Sequence, residues 1–118
     1  MEENSNESTL PAGMEKLLSI LSQINIPYAY DHYAEGEAVN PPFICYLLPD
    51  SNNFSADGGV YFKANVVHIE LYTDYKDLSA EQQIEDVLDA NGIFYDRSET
   101  WIESEKLYEV LYSFEMER

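Results

Sequence analysis

A chain of 118 residues has room for one domain and not for a catalytic domain plus a separate binding domain. Its hydrophobic content of 45%, with ten tyrosines and five phenylalanines, can fill the core of such a domain and excludes disorder for the bulk of the chain. Six Lys plus Arg against 23 Asp plus Glu give a formal charge of -17, which repels nucleic-acid backbone and anionic lipid and excludes a conventional DNA or RNA binder.

Residues 1–9 carry Glu2, Glu3 and Glu7 among Asn and Ser, too polar to offset the entropy of ordering, and read as a disordered acidic tail. They lack the basic-then-apolar order of a secretory leader, and no run approaches the length of a membrane span. Residues 10–118 read as a single α+β domain. Met14, Leu17, Leu18, Leu21 and Ile24 recur at helical spacing and predict an amphipathic helix from about Pro11 to Asn25, stopped by Pro27. Residues 28–33 alternate Tyr28, Tyr30 and His32 with Ala29, Asp31 and Tyr33, the pattern of a half-buried strand, and residues 35–42 form a loop. The continuous apolar run 43–48, bounded by Pro42 and Pro49, predicts a short strand at the centre of a sheet, covered on both faces.

Residues 50–59 collect Ser, Asn, Asp and a Gly-Gly pair around a lone Phe54, so the chain reverses there in a long hairpin loop. Residues 60–73 are then the longest strand, long enough to project past the sheet, with Val67, Ile69 and Leu71 on one face and Val66, His68, Glu70 and Tyr72 on the other. Ser79 followed by Gln82 has the form of a capping box and predicts a second helix from Ala80, ended by a left-handed cap at Asn91-Gly92. Ile84, Val87 and Leu88 form its narrow apolar stripe. Its wet face of Glu81, Glu85, Asp86 and Asp89 points to solvent or to a basic partner. Residues 93–102 and 107–116 predict a hairpin of two strands with an acidic tip at 103–106, in which Tyr108, Val110, Tyr112, Phe114 and Met116 share one face. The element order α-β-β-β-α-β-β argues an α+β fold: a mostly antiparallel sheet of about five strands with two helices packed on one face.

Catalytic chemistry finds little footing in this pattern. Asp57-Gly58-Gly59 lacks the Lys-Ser/Thr of a phosphate loop and is a turn signal. Cys45, the sole cysteine, excludes an intrachain disulfide and a thiolate zinc site, suits a reducing cytoplasmic origin, and sits in an apolar run where a thiol behaves as a small hydrophobe. Asp31, His32, Glu35 and Glu37 come nearest to a metal cluster, but neighbours in a strand point to opposite faces and the spacings match no known ligand motif. His68 and Glu70 share a face as an acid-base pair would, and read more simply as part of a half-polar contact surface with Tyr72. The tyrosines lack the basic surroundings of a base-stacking platform and suit core and protein-interface roles. No cofactor, metal ion or catalytic residue is expected.

Four segments carry a family resemblance: Pro42-Phe43-Ile44-Cys45-Tyr46-Leu47, Asn53-Phe54-Ser55-Ala56-Asp57-Gly58, the run from His68 through Glu70, Tyr72 and Thr73 to Asp74, and the run from Trp101 through Glu105 and Tyr108 to Glu109. Over residues 17–115 the chain resembles the tail terminators, or tail completion proteins, of long-tailed phages and prophages of Gram-positive bacteria. The resemblance implies a virion subunit at the tail-neck junction, assembled in the bacterial host cytoplasm. There it forms a homo-oligomeric ring, typically a hexamer, that caps the tail tube protein and receives the head-tail connector or stopper protein, with DNA passing through the lumen. The residue pattern adds an expected interface of Asn53, Phe54, Asp57, Val66, His68, Glu70 and Tyr72. A reading of another class is an acidic DNA-mimic inhibitor that occupies a basic enzyme groove, since charge and size both suit it.

Overall fold

The computed structural model describes residues 13–32, 39–55 and 61–117. The expected acidic tail, Glu35, Glu37 and Asp57 lie outside them. Two helices, α1 (Met14–Ser22) and α2 (Leu78–Ala90), flank a sheet of β1 (Tyr28–Tyr30), β2 (Phe43–Ser51), β5 (Ala64–Thr73), β6 (Asp96–Ile102) and β7 (Leu107–Glu117). Two further strands, β3 (Phe54–Ser55) and β4 (Tyr61–Phe62), pair with each other as a separate ribbon. The fold is α+β, and the elements that build the main sheet follow the expected order.

The sheet runs β1-β2-β5-β7-β6. Its β2–β5, β5–β7 and β6–β7 pairs are antiparallel, whereas β1 runs parallel to β2, so the sheet is mixed. The central place belongs to β5 rather than to β2, which lies one strand off centre. Alternation sorts β5 and β7 between two faces, and Val67, Ile69 and Leu71 stand beside Phe114, Tyr112 and Val110 in register. These six are buried in one cluster with Leu17, Ile20 and Leu21 of α1 and Ile84 and Leu88 of α2, so both helices cover the same face.

Several boundaries differ from the sequence reading, each for a local reason. β1 stops at Tyr30 because Asp31 adopts a left-handed backbone, φ 65°, which ends extended pairing. β2 continues through Pro49 to Ser51 by shifting register between Leu47 and Asp50, a bulge that tolerates a residue without an N–H. The N–H of Leu48 in that bulge donates to the Tyr30 hydroxyl at 3.3 Å. The long strand expected from Val60 is broken at Lys63, leaving β4 to the ribbon and β5 to the sheet.

α2 begins at Leu78, not Ala80, because Asp77 is the cap: its side chain accepts from the Ala80 N–H at 3.0 Å, while Gln82 bonds Asp86 instead of reaching back. At the other end Gly92 takes the left-handed turn, φ 71°, and the Ile93 and Gly92 N–H groups donate to Leu88 and Asp89 in a Schellman arrangement. Ile93 and Tyr95 fold onto the core and leave Phe94 90% exposed, so the chain alternates there without pairing and β6 begins only at Asp96.

Candidate functional site

With both helices on one side, the opposite face of the sheet is helix-free among the described residues, and the expected contact residues Val66, His68, Glu70 and Tyr72 converge on it. β5 presents Val66, His68, Glu70 and Tyr72, all half-buried. Cross-strand register sets Tyr72 between Phe43 and Glu109, Glu70 between Cys45 and Leu111, and His68 between Leu47 and Ser113. Val66 stands between Asp50 and Glu115. The surface is therefore apolar in patches, through Phe43, Leu47, Val66, Leu107 and Leu111, and interrupted by carboxylates.

At its centre the Tyr72 hydroxyl lies 3.0 Å from Glu70 Oε1 and 3.2 Å from Glu109 Oε2. A phenol has one proton to donate, so the two carboxyl oxygens compete for it. Burial raises the Glu70 carboxyl; the Tyr72 hydrogen bond opposes that shift, and the charge of Glu109 adds to it. Burial also holds the Tyr72 hydroxyl far above its ordinary range, reinforced by both carboxylates, so it remains a donor.

Beneath this group Cys45 is only 5% exposed, and burial, then Glu70, Asp31 and Glu109, push its thiol up to about 11. Such a thiol is a poor nucleophile and behaves as the small hydrophobe its apolar run implies. A cavity of about 310 Å³ opens above it, walled by Phe43 and Tyr72, whose rings stack 5.3 Å apart at 24°, and bordered by Asp31 and Glu105.

Asp31 and His32 do not point apart as a continuous strand would require. The left-handed turn at Asp31 sets its carboxylate 3.0 Å from His32 Nδ1, both side chains exposed. Among the described residues no group of three or more His, Cys, Asp or Glu is placed to hold a metal ion. His68 shares its face with Glu70, and the hydrogen bond to Glu70 comes from Tyr72.

The ribbon end is built differently. The Asn53 side chain accepts from the Ala64 N–H at 3.2 Å, and Asn52 bonds both the Ala64 carbonyl and Glu115, so Asn53 is occupied in closing the base of the ribbon. Phe54 stands opposite Phe62 in the β3–β4 register. A larger cavity of about 580 Å³ lies across the molecule, where Lys16 faces Asp96, Glu115 and Glu117 beside the turn at Gly92.

One functional feature had no clear signal along the chain. Glu81, assigned to the wet face of its helix, is 5% exposed and accepts from Lys76 Nζ and Arg97 Nη2, each at 2.6 Å. Glu99 joins both cations, at 2.6 Å and 3.2 Å, and Glu85 accepts from the buried Tyr112 hydroxyl at 2.8 Å. This network fastens α2 to β6 on the helix side, so the acidic outer face of α2 is partly neutralised within the chain. Lys76 and Arg97 are both engaged there, and among the described residues no lysine or arginine projects from the strands of the main sheet on the helix-free face. That face stays acidic.

Comparison of the chain with protein-family models and with curated protein sequences finds no match to either.

Proposed function

We propose that the protein is a structural subunit that works by binding, as a ring-forming tail terminator at the phage neck. The observation that carries this reading is the helix-free sheet face, where Val66, Tyr72, Leu107 and Leu111 remain half-buried and interleaved with Glu70 and Glu109. A face of this composition fits a contact made conditionally, because a permanent core would exclude the carboxylates and an isolated surface would not gather the apolar residues. The four resembling segments add support, three of them contributing Phe43, Glu70, Tyr72 and Glu109 to that face.

At -17 per subunit, repulsion opposes ring closure, and salt screens it over about 8 Å at physiological ionic strength. Light scattering should therefore show mass rising above 13.6 kDa in whole multiples as salt is raised from low values or tail tube protein is added, with rings visible by negative stain. A strict monomer at every salt and protein concentration, tail tube protein included, overturns the reading.

The sorting of Lys76 and Arg97 to the helix side favours the second reading, a DNA mimic, since the carboxylates between the apolar patches of the other face are left without a lysine or arginine from its strands. The same titration separates the two: a mimic loses its basic partner as salt rises, whereas the ring gains subunits.

A further inference from the structure

We propose that the cavity above Cys45 receives the guanidinium of an arginine presented by a different, basic protein. Its shape and its charge agree on that chemistry. The stacked Phe43 and Tyr72 rings, 5.3 Å apart, give aromatic wall, Cys45 and Leu107 give an apolar floor, and Asp31 and Glu105 stand at the border. A planar, weakly hydrated cation matches that combination, lying against aromatic surface while its N–H fork reaches a carboxylate. A volume of about 310 Å³ admits one such side chain and not a folded element. Among the described residues no lysine or arginine lines the cavity, and the basic side chain there, His32, lies 3.0 Å from Asp31.

The charge also selects the source. Of the chain's two arginines, Arg97 is held by Glu81 at 2.6 Å on the other side of the sheet and Arg118 lies outside the described residues, and a second copy brings another -17 against this acidic border. A copy of this chain is therefore the wrong donor, and a positively charged partner is the right one. The site is complete within one subunit, so the inference goes beyond the ring reading and stands or falls separately from it.

The test titrates the ¹⁵N-labelled full chain with N-acetyl-L-arginine N-methylamide, and in parallel with the lysine and norleucine analogues. Arginine should bind in the millimolar range with shifts confined to the amides around Asp31, Cys45, Tyr72 and Leu107, and norleucine should not bind. Asp31→Asn and Glu105→Gln, at exposed positions that leave the fold intact, should each weaken binding about 3- to 10-fold, as should raised salt. Leu107→Lys, which places a cation on the floor, should abolish it. Equal binding of arginine and lysine with shifts spread over the acidic surface overturns the inference, as does unchanged binding by Asp31→Asn and Glu105→Gln together. Light scattering on the same samples reports the oligomer, so loss of the arginine site and loss of the ring are distinguishable results.

Discussion

Arg97→Met is expected to destabilise the fold far more than its one-third exposure suggests. The substitution keeps most of the aliphatic stem and deletes the charge that donates to Glu81 at 2.6 Å and to Glu99 at 3.2 Å. Breaking a buried ion pair by removing one partner costs about 3–5 kcal/mol when the other charge is left alone. Here Glu81, whose side chain is 6% exposed, keeps Lys76 Nζ at 2.6 Å, so its charge is weakened in support rather than orphaned. Solvent also reaches Arg97 itself. Both corrections lower the expected loss to about 1.5–2.5 kcal/mol. Glu99→Gln is the control, since solvent reaches Glu99 and both its partners, and it should leave the urea midpoint close to that of the unsubstituted chain. Urea unfolding of the two variants, followed by circular dichroism with unchanged m-values, measures the contrast. Adding Lys76→Met to Arg97→Met should cost more than the sum of the single changes, because only the double variant strands Glu81. Equal small losses from Arg97→Met and Glu99→Gln would refute the claim that burial of Glu81 gives this network its strength.

Glu70→Gln should stabilise the protein at pH 7, because the amide copies the protonated acid and removes a half-buried charge beside Glu109. The sign follows from the raised folded-state pKa: the wild-type carboxyl gives its full stabilisation below the ordinary value of 4.5 and loses it as pH rises through the folded value. The advantage of the variant should thus appear only above that window, and a constant difference across pH in thermal unfolding would exclude a raised Glu70 carboxyl. Asp77→Ala should cost about 1 kcal/mol by removing the α2 cap, while Ser79→Ala stays within about 0.5 kcal/mol in the same denaturation assay. The reverse ranking would restore Ser79 as the cap.

How far the sequence foretells the structure depends on the distance over which each choice is made. Alternation along β5 and β7 is local, and it assigned Ile69 and Tyr112 to the core and Glu70 and Tyr72 to the other face. Which residue stands opposite which is not local: Glu109 joins the Tyr72 hydroxyl only through the β5–β7 register, which one strand's pattern does not contain. The α2 cap was expected at Ser79 alone, and Asp77, two residues earlier, takes it with Leu78, 67% exposed, as the first helical residue. Glu81 misled because an acidic residue in a first helical turn ordinarily faces water, and its burial depends on cations from the β5–α2 linker and from β6. The direction of β1 carries no compositional signal, since three half-exposed residues pair equally well either way.

The position of β7 has a consequence for how the chain acquires its shape. β7 is the last of these elements to be synthesised, yet it lies between β5 and β6. The β2–β5 hairpin can form early on the ribosome, but one long side of β5, Ala64–Thr73, then carries unpaired backbone groups until β7 emerges. The β6–β7 pairing, by contrast, is local and closes over a short turn. The β5–β7 seam is thus the long-range pairing that the chain closes with its last strand, and until it closes that side of β5 is an edge open to mispairing with neighbouring chains.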